Sequence, residues 1–323
     1  MRATSGKSGA QVLRERLKKP EILVAPGAYD CLSARLVERM GFEAAFMTGF
    51  GASASILGQP DYGLMTMNEM ATVCANMNAV LNIPLIGDID TGYGNPLNVF
   101  RTVREFERAG MAAVHLEDQV FPKRCGHMEK KAVIPMEEHV EKIRAAVEAR
   151  DEMLIIARTD AYATHGLDET LRRLEAYRDA GADIIYADGL PTVEAMKAVC
   201  AIPGIYKFGN QVEGGKSPTL SFEELQEIGY DIVIYPVGTA FAAERAIENY
   251  LKSLKENHSN KEIIASGSVP GFAEFNAAMG MEALTDMEKK FQVDVFKKRH
   301  SEENGRSRHG TEEIGRASCR ERV

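Results

Sequence analysis

Asp88 and Asp90, Glu117, Arg158 and Asp188 each follow a short apolar run, in the strings Gly87-Asp-Ile-Asp-Thr-Gly-Tyr-Gly94, His115-Leu-Glu-Asp-Gln119, Ala157-Arg-Thr-Asp160 and Ala187-Asp188. Side chains two apart in extended chain share a face, so Asp88 and Asp90 point the same way. Carboxylates that converge repel one another and raise each other's pKa unless a cation sits among them. Oxygen-only donors suit Mg2+, with Mn2+ as an alternative. Magnesium keeps several waters and takes one or two carboxylates directly, which makes Asp88 the expected direct ligand, with Asp90 and Glu117 held through water. An Asp at a strand end also serves as a cap or a loop brace. Three acids on adjacent strands favour the metal.

A second cluster, Lys123-Arg124-Cys125-Gly126-His127, lies between Pro122 and Pro135 in a stretch too polar for core. Two cations beside a thiol favour thiolate, and Gly126 lets backbone approach a ligand. The segment therefore reads as a lid that carries a proton donor; the plainer alternative is a solvated basic loop with an incidental cysteine. Gly214-Gly215-Lys216-Ser217 imitates the end of a phosphate-binding loop, but position 210 is Asn where that motif demands Gly, so the P-loop is rejected.

The elements that must position these residues repeat one grammar from Ile22 onward: a β-branched or apolar run, a turn, then a stretch with helical spacing. Eight runs are counted: Ile22–Ala25, Ala44–Thr48, Leu85–Ile89, Ala112–Leu116, Leu154–Ala157, Ile184–Ala187, Ile205–Phe208 and Ile232–Tyr235. Near-continuous apolar runs are the mark of parallel strands covered on both faces, and eight β-α units close a (β/α)8 barrel of the TIM type. Helices are expected at Pro96–Ala109, Met136–Ala149, Leu167–Ala180, Phe222–Ile228 and Ala240–Lys255, with Asp168 near a helix start and Ser221 with Glu224 as a capping box.

Residues 1–20 read as an N-terminal segment with a plain surface helix over Val12–Lys19. The barrel occupies 21–256, and extra C-terminal helices at Glu262–Ser268 and Gly271–Lys290 fall within 257–296. The charged tail at 297–323 reads as disordered, and its last residues, 313–323, look like translated adaptor sequence.

The chain has 323 residues, 45% of them hydrophobic, and a formal net charge of -8. That balance argues against nucleic acid or an anionic membrane as partner, and no run approaches the roughly 18 apolar residues of a membrane helix. Five dispersed cysteines without a C-x-x-C pair fit a reducing, cytoplasmic setting.

Taken together, the Asp88-x-Asp90-x-Gly-Tyr-Gly string, Glu117-Asp-Gln, Lys-Arg-Cys-Gly-His and Ala-Arg158-Thr-Asp resemble the isocitrate lyase and phosphoenolpyruvate mutase superfamily, from about Leu13 to Lys255. The Cys-bearing loop is similar to its carbon-carbon lyase branch. Pro96-Leu-Asn-Val, Gly126-His-Met and Asn210-x-x-Glu213-Gly-Gly-Lys-Ser217-Pro resemble the group of 2,3-dimethylmalate lyase and the petal death protein more than the methylisocitrate lyases. Phe46 where methylisocitrate lyases carry Tyr, and Val212 in place of a hydroxyl residue, support that ranking. Asp188 stands where a glutamate is expected.

The resemblance implies an Mg2+-dependent cleavage of a 2-hydroxy alkylmalate to pyruvate and a carboxylate such as propionate or succinate. Arg158, His127 and Lys123 are implied to face the developing charge, and Cys125 to protonate the carbanion. Substrate contacts are implied at the amides of Thr48, Gly49 and Phe50 and at Asp61, Arg124, Gly126, Asn210 and Ser217, with Asp188 among the catalytic set. The implied assembly is a homotetramer with exchanged C-terminal helices, and the implied partner is a small carboxylic acid. Three other readings stand beside this one: an oxaloacetate-type decarboxylase, a phosphonopyruvate-processing enzyme, and a catalytically inactive assembly barrel.

Overall fold

The computed structural model of the chain describes residues 6–123 and 131–291. Eight parallel strands close in sequence order: β1 Leu23–Ala28, β2 Ala45–Met47, β3 Leu85–Asp88, β4 Ala113–Glu117, β5 Leu154–Thr159, β6 Ile184–Ala187, β7 Tyr206–Asn210 and β8 Ile232–Tyr235, with β8 pairing back onto β1 through Leu23 and Ile232. The fold is the expected (β/α)8 TIM barrel. Helices α1 Gly9–Arg16 and α2 Cys31–Arg39 come first, then α3 Gly49–Ala52, which runs into a π turn at Ser53–Leu57, and α4 Met67–Val80. The outer layer continues with α5 Pro96–Arg108, α6 Met136–Ala149, α7 Tyr162–Asp179, α8 Val193–Cys200, α9 Phe222–Ile228 and α10 Gly238–Asn257.

All five expected helices are present, and Ser221 with Glu224 forms the capping box at α9. Helices α2, α4 and α8 were not anticipated. Asp168 follows Gly166, whose φ of 80° interrupts α7, so it opens the second part of a helix that begins earlier. The helix expected at Val12–Lys19 starts at Gly9, and it is not a plain surface helix. Leu13 is fully buried and packs with Ala10 and Leu17 against Leu23, Ala112 and Leu154, at the strand starts, where it stoppers the lower end of the barrel.

The chain divides into two compact units, Met1–Ile263 and Ile264–Val323. In the second, the helix expected over Gly271–Lys290 is two, Phe272–Ala278 and Met281–Lys290, separated at Gly280 with φ 85°. No described helix is long and apolar enough to cross a membrane. The tail reading for 297–323 lies outside the described residues.

Inward-facing Phe46, Ile86, Ile156, Ile184, Tyr186, Phe208 and Ile234 fill the barrel and form the floor on which the polar upper rim stands. Outside it, His139 on α6 is wholly buried edge-on to Tyr177 at 4.7 Å. Burial, then the neighbouring charges of Lys142 and Arg173, hold this imidazole down at about 3. Between that value and about 6.5 the unfolded chain binds a proton that the folded chain refuses, so this contribution is complete above pH 6.5 and is lost as pH falls toward 3. His139→Leu is expected to flatten the fall of urea-melt stability between pH 6.5 and 4 by up to about 1.4 kcal/mol per pH unit. An unchanged slope would show that other groups drive it.

Candidate active site

The strand ends deliver the polar rim. Asp88 closes β3, and the next two turns need backbone that side chains rarely adopt: Asp90 has φ 47° and Tyr93 φ 60°. The bend lets the Asp90 amide donate to Asp88 Oδ1 at 2.9 Å and turns its carboxylate toward Lys123, whose Nζ stands 2.8 Å from Asp90 Oδ1 and donates to Asp61 Oδ2 at 2.7 Å. Burial, with Asp88 and Asp61 nearby, pushes Asp90 up to about 7 against the pull of Lys123. The ammonium itself sits well above its ordinary range: burial opposes its charge, but the carboxylates of Asp90 and Asp61 outweigh that penalty. Burial alone would raise Asp88 too, but His115 and Lys123 bring it below its usual value.

Arg158, at the end of β5, is the second cation of the rim. Its guanidinium donates to Asp160 Oδ2 at 2.8 Å and Asp188 Oδ2 at 2.9 Å, and stands 3.2 Å from Glu117 Oε2. Lys131 donates to the far oxygen of Asp160 at 2.7 Å. Glu117 keeps Oε1 buried without a hydrogen bond, and burial, offset only in part by Arg158, holds its carboxyl well above the carboxylate range. Asp118, next in sequence, is a brace: Arg173, Tyr177, Thr159 and the Asp160 amide all converge on its carboxylate.

A cavity of about 930 Å3, including volume open to solvent, lies over this rim. Of the residues singled out in the sequence, Thr48, Phe50, Asp61, Asp88, Lys123, Arg158, Asp188 and Asn210 line it. Asp90 and Glu117 are buried and do not line it. Gly49 supports the lining: a Cβ there would stand 2.5 Å from Asp88 Oδ2, so only glycine lets α3 start this close to the acid. Thr48 caps α3, whose first amides, those of Gly49 and Phe50, have no acceptor within the helix. Ser217 falls outside the lining, although Glu213, Gly214 and Gly215 of the same loop belong to it. Arg124, Cys125, Gly126 and His127 lie outside the described residues.

Two inward residues were passed over in the sequence, His115 and Tyr186. Each stands two positions before a recognised acid, Glu117 and Asp188, so the period of two was the signal that could have found them. His115 stacks on Phe46 at 5.4 Å, and burial drives its imidazole down to about 4, which keeps it neutral. The same lining also carries apolar side chains: Phe46, Phe50, Val212, Ile234, Val237 and Phe241.

Among the described residues, no three His, Cys, Asp or Glu side chains stand at metal-ligating spacing. Asp90 is committed to Lys123, and one oxygen of Glu117 to Arg158. With those oxygens occupied, the arrangement fits a magnesium held by one or two carboxylates and water, with Asp88 on the cavity and the Glu117 Oε1 atom, which has no hydrogen bond, as the donors.

The phosphoenolpyruvate phosphomutase family matches residues 13–255. A 2,3-dimethylmalate lyase from Eubacterium barkeri is 45% identical over 285 residues, 86% of this chain and 96% of its own. A solved oxaloacetate acetylhydrolase, in complex with 3,3-difluorooxalacetate, superposes with TM-score 0.83 at 36% identity, covering 88% of this chain and 97% of that one. A phosphonopyruvate hydrolase complex with oxalate and Mg2+ superposes with TM-score 0.80 at 30% identity, covering 88% and 100%. With matches of that extent on a closed eight-stranded barrel, the chain belongs to the phosphoenolpyruvate mutase and isocitrate lyase superfamily of enzymes.

Proposed function

We propose that this enzyme is a Mg2+-dependent carbon-carbon lyase that cleaves a 2-hydroxy alkylmalate, of the kind represented by 2,3-dimethylmalate, into pyruvate and a saturated carboxylate such as propionate. The observation that carries the reading is the mixed lining of the cavity, where Arg158, Lys123 and Asp88 share one space with Phe46, Phe50, Val212, Ile234, Val237 and Phe241. Carboxylate groups of the substrate suit the charged side chains and its alkyl groups the apolar ones.

In the reaction the hydroxyl proton passes to solvent water, the bond between the hydroxyl-bearing carbon and its neighbour breaks, and a carbonyl forms while charge passes into the departing carboxylate. Arg158, fixed by three acids and buried, is aimed at that charge without reorganisation, which favours the transition state over the ground state. Asp88 would hold a magnesium ion directly, with Glu117 and Asp90 contributing through water, and the ion would supply Lewis acidity toward the substrate's hydroxyl and carboxylate. The amides that open α3 receive a substrate carboxylate. Cys125, two residues past the buried Lys123, protonates the departing carbon, a role that the resemblance supports.

A coupled assay for pyruvate over a set of malate analogues, with and without EDTA, is expected to show release only from alkylated 2-hydroxy diacids and at least a tenfold fall on chelation, restored by Mg2+. The likeness to oxaloacetate acetylhydrolase favours one competing reading. Oxalate and acetate from oxaloacetate, with no pyruvate from any malate, would replace the lyase by that hydrolase.

We further propose a homotetramer. Helix α10 is tied to the barrel by Thr239 Oγ1, which donates to the Gly27 carbonyl at 2.7 Å. None of its side chains is buried, and Ile247 and Leu251 are more than half exposed. Such an apolar stripe suits coverage by a second subunit. Light scattering is expected to give a mass near four times 35.5 kDa; a monomeric mass would reject the assembly.

A further inference from the structure

We propose that Tyr186 is a positioning residue of the active site: its hydroxyl clamps Asp188 in the orientation that holds the Arg158 guanidinium, and the two side chains are sized for each other. This rests on the lyase reading above only for its kinetic consequence.

Tyr186 lies inside an apolar run and is fully buried in the barrel, tilted against Phe208 at 5.1 Å and edge-on to His115 at 6.0 Å. A purely structural ring would end there. Its hydroxyl instead reaches the cavity floor and donates to Asp188 Oδ1 at 2.6 Å, while the Arg158 guanidinium carbon stands 5.2 Å from the ring centroid. Asp188 Oδ1 also accepts from Asn210 Nδ2 at 2.9 Å, and Oδ2 from Arg158 at 2.9 Å. Donors on β5, β6 and β7 thus fix both oxygens of one carboxylate. Burial and the Asp188 charge hold the phenol far above its ordinary range, so it remains a donor at every working pH.

The contact at 2.6 Å leaves no slack. One more methylene at position 188 advances the carboxylate by about 1.5 Å, a carbon-carbon bond length, into the space of the phenol oxygen. Removing that oxygen opens the room a longer acid needs. Phe46, Phe50 and Phe241 give the cavity rings without hydroxyls, which leaves Thr48 and Tyr186 as the hydroxyl-bearing residues of the described lining.

The test is a cycle of four proteins: wild type, Tyr186→Phe, Asp188→Glu and the double variant. Kinetics on the alkylmalate found by the pyruvate screen are expected to show kcat down about tenfold in Tyr186→Phe with KM within about threefold, the size of one hydrogen bond to a charged group. Asp188→Glu alone is expected to lose at least as much and to lower the thermal midpoint by several degrees. The double variant should return to within about threefold of wild-type kcat and recover most of the midpoint, because the glutamate fills the vacated space. Tyr186→Phe with wild-type kcat overturns the proposal. So does an Asp188→Glu substitution that costs the same in both backgrounds. The midpoint cycle needs no substrate: if the wild type cleaves no malate analogue, the lyase reading fails alone, and non-additive or additive midpoints still uphold or overturn the matched pair.

Discussion

Arg158→Ala is expected to cut turnover by about 100-fold to 1,000-fold or more, the usual cost of removing a preorganised donor from a developing negative charge. The same change is expected to destabilise the fold by about 3–5 kcal/mol, since it strips the cation from a buried ion cluster. The reason is specific: Glu117, Asp160 and Asp188 all lean on this one guanidinium, and all three are buried. Lys131 would remain on Asp160, but Glu117 and Asp188 would lose their shared cation. Arg158→Lys separates the two effects. An ammonium restores charge but not the fork that meets several carboxylates at once, so stability should recover further than kcat. Steady-state kinetics and urea melts on both variants check this; an Arg158→Ala protein with wild-type turnover would remove Arg158 from the mechanism.

Cys125→Ser is the second large effect. If the thiol delivers the proton to the departing carbon, its replacement by a far weaker acid should lower kcat by about 100-fold to 10,000-fold. Binding of oxalate should persist, because Lys123, Asp88 and Arg158 are untouched. Isothermal titration with oxalate and Mg2+, beside the pyruvate assay, reads the two quantities apart. Near-normal turnover in Cys125→Ser would refute the assignment.

The barrel was legible because its strands are apolar throughout and its turns polar, a pattern that each β-α unit writes locally. Ile184–Ala187 and Ile232–Tyr235 fell where expected to the residue. Helices α2 and α8 escaped notice at nine and eight residues while α9, shorter at seven, did not, because only α9 of the three opens on a Ser-x-x-Glu capping box that the sequence shows. The role of α1 escaped for another reason: Leu13 and Leu17 are stripe residues on any amphipathic helix, and nothing local says that the stripe closes a barrel end whose strands, such as those of Ala112 and Leu154, lie far along the chain.

The acids at 88, 90, 117 and 188 were visible by type and spacing, as was Arg158. Their pairing was not. That Lys123 pairs with both Asp90 and Asp61, and that Arg158 gathers Glu117, Asp160 and Asp188, follows from closure of the barrel, which brings the ends of strands two through seven to one rim. Residue types along the chain determined which charges exist and that a cation could join them. Tertiary structure decided which charges cancel within the protein and which oxygens are left over, because burial makes every uncompensated charge costly and only the folded rim fixes who stands beside whom.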